Sequence, residues 1–179
     1  VPWINDAPKN VTTMTLNRLR QKVKKKNGWA INELGRRYEH GNGGVEESLD
    51  KAIDCFKKGV KLGSPKSMTS LGYMYERGKG VDNNTKLAFE LYQTAAFKGF
   101  DAAQCIVGAC YCNLDYINVE QSIIKAREWL NRAAAQKNES AITLLKQLDE
   151  AEEKIAEEDR QAQALQEKEV EEKEEKEEE

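Results

Sequence analysis

Ser67-x3-Leu71-Gly72-x2-Tyr75 stands near the middle of the chain, and the same landmarks occur on either side at almost constant distance. They appear 37 residues earlier as Ala30-x3-Leu34-Gly35-x2-Tyr38 and 36 residues later as Ala103-x3-Val107-Gly108-x2-Tyr111. A repeat of this length cannot bury its apolar face alone and does so by stacking on its neighbours, which is the sequence signature of a helical solenoid. The expected fold class is therefore all-α, an array of antiparallel helix pairs.

Spacing within each repeat supports that reading. Ala30, Leu34 and Tyr38 lie at i, i+4 and i+8, one stripe of a helix over about 29–40. Second helices are predicted over about 49–62, 85–98 and 123–136, each preceded by a capping side chain four residues before an alanine. The pairs are Ser48 and Ala52, Asn84 and Ala88, Ser122 and Ala126. Ala52-Phe56-Val60, Ala88-Tyr92-Ala96 and Ala126-Leu130-Ala134 alternate small with large residues, as interlocking helices require. Gly35, Gly72 and Gly108 each cost about 1 kcal/mol inside a helix, so their return predicts close approach of a neighbouring backbone. Gly41 to Gly44 and Gly78 to Gly80 read as turns between paired helices; the rival reading, a phosphate cradle, lacks the preceding strand and the following Lys-Ser/Thr. Gly63-Ser64-Pro65 ends one repeat and opens the next, and Gly99 and Asp101 do the same one repeat on. Lys137-Asn138 replaces that glycine in the third repeat, whose connector 113–119 is longer, without glycine, and expected to be less regular.

The domain plan that follows is an extended arm at 1–12, a basic helix at 13–26, repeats at 27–63, 64–99 and 100–137, a capping helix at 138–148, and an acidic Glu/Lys-rich segment at 149–179. That last segment reads as a solvated helix fraying into disorder, with a coiled coil as the alternative. A charged fraction of 33% and a mean hydropathy of −0.77 agree with part of the chain being solvated. Arg18, Arg20, Lys22, Lys24, Lys25 and Lys26 form a basic patch with no interleaved aromatic ring; a solvated face covering the array is favoured over a polyanion site. No run is long and apolar enough for a membrane span, and no secretory signal is present. The chain begins at Val1 rather than Met, which reads as a processed or truncated protein, and the cytoplasm is the default compartment.

Four cysteines, Cys55, Cys105, Cys110 and Cys112, match no zinc spacing, and His40 is the single histidine. Reduced packing or surface thiols are favoured over a disulfide, and no metal or cofactor is expected. No nucleophile, base and orienting group converge, so the chain reads as a non-enzyme.

The landmarks Ala30-x3-Leu34-Gly35-x2-Tyr38-x2-Gly41, Gly44-Val45, Lys51-Ala52 and Gly63, with Leu71 to Val81, Ala95-Ala96 and Gly99, resemble the Sel-one-like repeat, a relative of the tetratricopeptide repeat. The likeness covers about 29–145. It implies a right-handed superhelix whose first helices line a concave face, used as a scaffold or adaptor for protein complexes. Some bacterial members have disulfide-linked helix pairs and proposed penicillin-binding activity; this chain lacks that cysteine pairing. Val1-Pro2-Trp3 and the charged helix after it are similar to sequence following the zinc-binding domains of certain algal proteins with these repeats. That implies an alternative, the accessory repeat region of a larger protein of ubiquitin-ligase-like or signalling type.

If first helices line the groove, its exposed positions are Trp29, Asn32, Arg36 and Glu39 in the first repeat, Lys66, Thr69, Tyr73 and Glu76 in the second, and Cys105 and Cys112 in the third. Trp, Tyr and Arg dominate interface energetics, which suits a peptide-binding surface. The rival reading has Trp29 merely covering the first helix pair. A protein or peptide partner and a monomeric chain are expected; nucleic acid is disfavoured because the acidic tail would repel it or compete for the basic patch.

Overall fold

In the computed structural model, residues 14–112 and 121–177 are described, with side chains described through 166. The 1–12 arm, the Val1-Pro2-Trp3 likeness and the 113–119 connector lie outside the described residues. Among the described residues eight helices follow one another: α1 (Leu16–Lys24), α2 (Gly28–His40), α3 (Leu49–Lys61), α4 (Pro65–Arg77), α5 (Thr85–Phe97), α6 (Asp101–Cys112), α7 (Ile123–Ala134) and α8 (Glu139–Glu177). Among the described residues there is no strand. Helices α2/α3, α4/α5 and α6/α7 pair as hairpins, and each hairpin packs on the next. The chain is an α-solenoid.

Local chemistry sets each boundary. Side chains of Asn27, Ser48, Ser64, Asn84, Ser122 and Asn138 accept from the backbone N–H three residues on, satisfying one of the amides left free at a helix start. Gly41 and Gly78 end α2 and α4 in the left-handed conformation. The hairpin is closed by one recurring bond: the carbonyls of Tyr38, Tyr75 and Tyr111 accept from the amides of Ser48, Asn84 and Ser122 at 2.8, 2.9 and 3.0 Å. The third connector, despite its extra length, returns to the same bond.

The three helix glycines are buried, and the reason differs from the one predicted. A Cβ on Gly35 would lie 2.5 Å from the Phe56 ring, one on Gly72 2.6 Å from Tyr92, and one on Gly108 2.7 Å from Leu130. Each glycine thus receives the large side chain at the centre of its partner helix rather than a bare backbone; only at Gly108 does a backbone atom, the Ala126 carbonyl oxygen, also come within 3.2 Å.

Between repeats the contact is small on small. Gly59 on α3 faces Ser67 on α4, so closely that an added Cβ would lie 2.5 Å from the Ser67 Cβ. At the same stations one and two repeats on stand Ala95 with Ala103 and Ala133 with Ala141, all fully buried. The larger serine at the α4 station is matched by the smaller glycine across from it.

The ends extend the same pattern. α1 holds the station of a second helix: Leu19 lies 37 residues before Phe56, is fully buried, and packs with Ala30, Ile31 and Leu34. At the other end the cap runs on past Leu148 into the acidic segment, because α8 continues unbroken from Glu139 to Glu177. Lys26 and Lys137, each followed by a capping asparagine, take the left-handed conformation (φ 55° and 65°) that Gly63 and Gly99 take between the inner repeats. The core is consequently a row of apolar clusters from α1 to α8, each shared by adjoining helices, as a quasi-one-dimensional stack requires.

A candidate protein-binding groove on the first helices

α2, α4 and α6 expose neighbouring faces that enclose an open groove of about 670 Å³. Arg36, Glu39 and His40 come from α2; Thr69, Ser70, Tyr73, Glu76 and Arg77 from α4; Ile106, Ala109 and Cys110 from α6. Tyr73 stands in the middle, 43% exposed, with the Arg77 guanidinium 5.8 Å from its ring centroid.

Both carboxylates of the groove are already engaged. Glu39 accepts from Lys79 Nζ at 2.9 Å, and this bond, more than any other influence, pushes the Lys79 ammonium above its ordinary pKa. Glu76 accepts from the buried Tyr92 hydroxyl at 3.1 Å. Arg36 is in no ion pair among the described residues, and Arg77 only overlies Tyr73. The end of the groove formed by α2 and α4 is therefore cationic and aromatic, while the α6 end is apolar through Ile106, Ala109 and Cys110.

Of the residues expected on this face, Arg36, Glu39, Thr69, Tyr73 and Glu76 line the groove. The others do not. Asn32 is buried under the next repeat, donating to Ser70 Oγ at 2.9 Å. Glu39, though it edges the groove, is 9% exposed and so buried rather than open. Cys105 is buried and Cys112 half-buried, both packed toward α8 with Leu144, Leu145 and Leu148. Lys66 is half-buried outside the groove. Trp29 lies with the α1/α2 cluster, its ring 5.5 Å from Lys22 Nζ, and covers the first helix pair. Station six after the small landmark, Arg36, Tyr73 and Ala109, faces the groove in every repeat, whereas station two is buried at Asn32 and Cys105 and lines the groove only at Thr69.

Ser70, Arg77, Ile106 and Cys110 line the groove from stations three, ten, three and seven, which the sequence reading did not assign to it. His40, at the end of the predicted 29–40 helix, is the last residue of α2, is exposed and lines the groove. Arg37 was missed altogether: it is buried, donating to Glu33 Oε1, the Gly43 carbonyl and the Met14 carbonyl at 3.2, 3.3 and 2.8 Å, and so ties the first connector to the segment before α1. In the basic patch Arg18, Arg20, Lys24, Lys25 and Lys26 are exposed, while Lys22 is half-buried over Trp29. Tyr38 and Tyr111 each lie under a lysine, Lys51 and Lys125, at 5.6 and 5.5 Å from the ring centroid. Tyr75 is half-buried between two apolar clusters.

No disulfide joins the four cysteines, and burial raises the pKa of Cys55, Cys105 and Cys112. A raised thiol pKa leaves little thiolate at neutral pH, the opposite of what a nucleophile needs. Among the described residues no cluster of His, Cys, Asp and Glu is placed to hold a metal, and no helix is long and apolar enough to cross a membrane.

The fold has close counterparts. A Sel1 repeat protein from Oxalobacter formigenes superposes with a TM-score of 0.64 at 36% identity over 74% of this chain and 97% of that one. The c5321 protective antigen of uropathogenic Escherichia coli superposes equally well, TM-score 0.64, at 30% identity over 73% of this chain and 27% of its own. By sequence, an F-box protein of Arabidopsis thaliana is 37% identical over 101 residues, 56% of this chain and 26% of that protein, so the chain spans about a quarter of that relative. The family model for the Sel1 repeat matches three times, at residues 30–64, 65–99 and 101–138. The chain therefore belongs to the Sel1 repeat family, whose solenoids are generally protein-interaction scaffolds.

Proposed function

We propose that the chain is a non-enzymatic scaffold that holds an extended segment of a partner protein in the groove between α2, α4 and α6. The observation that carries this reading is the convergence of Arg36, Tyr73 and Arg77 on one open groove in which both carboxylates are satisfied internally. Arg36 and Arg77 are in no ion pair among the described residues, and tyrosine and arginine are the residue types that concentrate binding energy. The raised pKa values of Cys55, Cys105 and Cys112 argue against a thiolate nucleophile at those positions.

A peptide library selected on the immobilised chain tests the proposal. Enriched peptides bind the wild type and lose at least about tenfold in affinity, roughly 1.4 kcal/mol, to a double variant, Arg36→Glu with Tyr73→Ala, whose melting temperature is unchanged. Equal binding to both proteins refutes the groove as the site.

A further inference from the structure

A second concave feature lies at the other side of the first repeat and is independent of the groove. α1, α2 and α3 leave a cleft of about 480 Å³ whose floor includes Val23, Ile31, Leu34 and Leu62. Its rim carries Lys26, Lys51, Lys58 and Lys61 against one carboxylate, Asp54. Lys51 overlies the Tyr38 ring, and none of the four ammonium groups is in an ion pair among the described residues. An apolar floor with a basic rim suits an amphipathic helix with an acidic surround.

This chain carries such a helix. Beyond Leu148, α8 leaves the solenoid: every residue over 149–166 is exposed, with seven acidic side chains against two basic. Ala151, Ile155, Ala162 and Leu165 fall on one stripe at helical spacing, and Ile155 and Leu165 are 59% and 64% exposed with nothing packed on them. The root of α8 is held on α7 by Arg127, which bonds Asp149 and Glu152 at 2.7 and 2.9 Å. That anchorage lies at the third-repeat end of the array and the cleft at the first-repeat end. An unbroken helix of 39 residues, about 58 Å long, cannot turn back onto its own first repeat without losing a helical turn.

We propose that the basic cleft of one copy receives the acidic helix 149–166 of a second copy, so that the chain associates head to tail, in place of the monomer expected from sequence. Ile155 and Leu165 sit on the apolar floor and the flanking carboxylates face the lysine rim. Such a contact is heterologous, and it either closes into a ring or extends.

Sedimentation velocity on the full chain tests this. Association rises with concentration and weakens as salt is raised, because the rim charges are screened. Lys58→Glu with Lys61→Glu, both on the exposed side of α3, weakens it at least about tenfold without changing the melting temperature. Glu153→Lys with Glu157→Lys and Glu158→Lys in the tail does the same. Mixing the two variants restores association, since the reversed cleft now meets a reversed tail. A chain that is monomeric at every concentration overturns the proposal, and so does association that the cleft variant leaves untouched, which would place the contact between two tails.

Discussion

The junction between repeats 1 and 2 differs from that between repeats 2 and 3 although the helices occupy equivalent stations. The first is polar and tight: Gly59 against Ser67, Asn32 donating to Ser70, Glu39 bonded to Lys79, and Gly80 of the second connector laid onto Leu49 and Ile53. The second is uncharged: Ala95 and Ala103 are fully buried, the Phe89 and Tyr111 rings meet edge to face at 5.8 Å, and the side-chain amides of Gln93, Gln104 and Gln136 donate to the Tyr111 hydroxyl and to the Ala96 and Gly99 carbonyls, with no ion pair between these repeats among the described residues. A charged pair is therefore not needed to stack two Sel1 repeats. The polar set at the first junction specifies how α2 and α4 sit against one another, and those two helices form the cationic end of the groove.

The largest expected effect tests the small-residue pair. Gly59→Ala puts a methyl where the Ser67 side chain lies and lowers stability by about 2 kcal/mol after allowing for the better helix propensity of alanine. Adding Ser67→Ala removes the hydroxyl that the new methyl meets but leaves the Cβ at 2.5 Å, so it recovers only part of the loss, a coupling read from a double-mutant cycle in urea denaturation. Independent additive losses would mean the two side chains do not meet.

A smaller effect concerns the ion pair. Glu39→Gln costs about 1 kcal/mol, because a buried charged acceptor is replaced by a neutral one. Lys79 has a pKa raised in the folded state, so its stabilisation is full below the ordinary lysine pKa and disappears as pH rises through the elevated folded value. Wild type should therefore lose its advantage over Lys79→Met in strongly alkaline solution. Denaturation midpoints of the two proteins compared between pH 8 and roughly pH 11, where a lysine normally titrates, give the measurement; a constant difference would show that the charge is not what stabilises the junction.

The smallest effect lies at the outer boundary. Lys137 holds a left-handed conformation that Gly63 and Gly99 adopt without strain. Lys137→Gly should raise stability by about 0.5 to 1 kcal/mol, the relief of strain exceeding the added freedom of the unfolded chain. A lower melting temperature would contradict this.

Much of the scaffold was legible from residues alone. The repeat interval, the caps at Ser48, Asn84 and Ser122, and the buried stripes all follow from local periodicity, which a helix reports faithfully. What Gly35, Gly72 and Gly108 accommodate was less legible, since a glycine announces a close neighbour without saying whether backbone or the Phe56 ring supplies it. The groove face was misplaced at Asn32, Cys105 and Cys112 because each meets a neighbouring element, Asn32 the Ser70 hydroxyl and the cysteines the α8 cluster, and such long-range neighbours are not encoded within a single repeat. Arg37 was hidden for another reason: its partners are backbone carbonyls of Gly43 and Met14, which have no sequence signature. The pairing of Gly59 with Ser67 could have been found, had the small stations of consecutive helices been compared.

The most direct test of a partner held on the first helices is photo-crosslinking from single sites. A photoreactive phenylalanine analogue in place of Tyr73, at the centre of the groove, should crosslink a peptide selected on the wild-type chain, and the same group in place of the exposed Lys57 on α3 should not. Crosslinking from position 57 alone, or equally from both positions, would contradict the account.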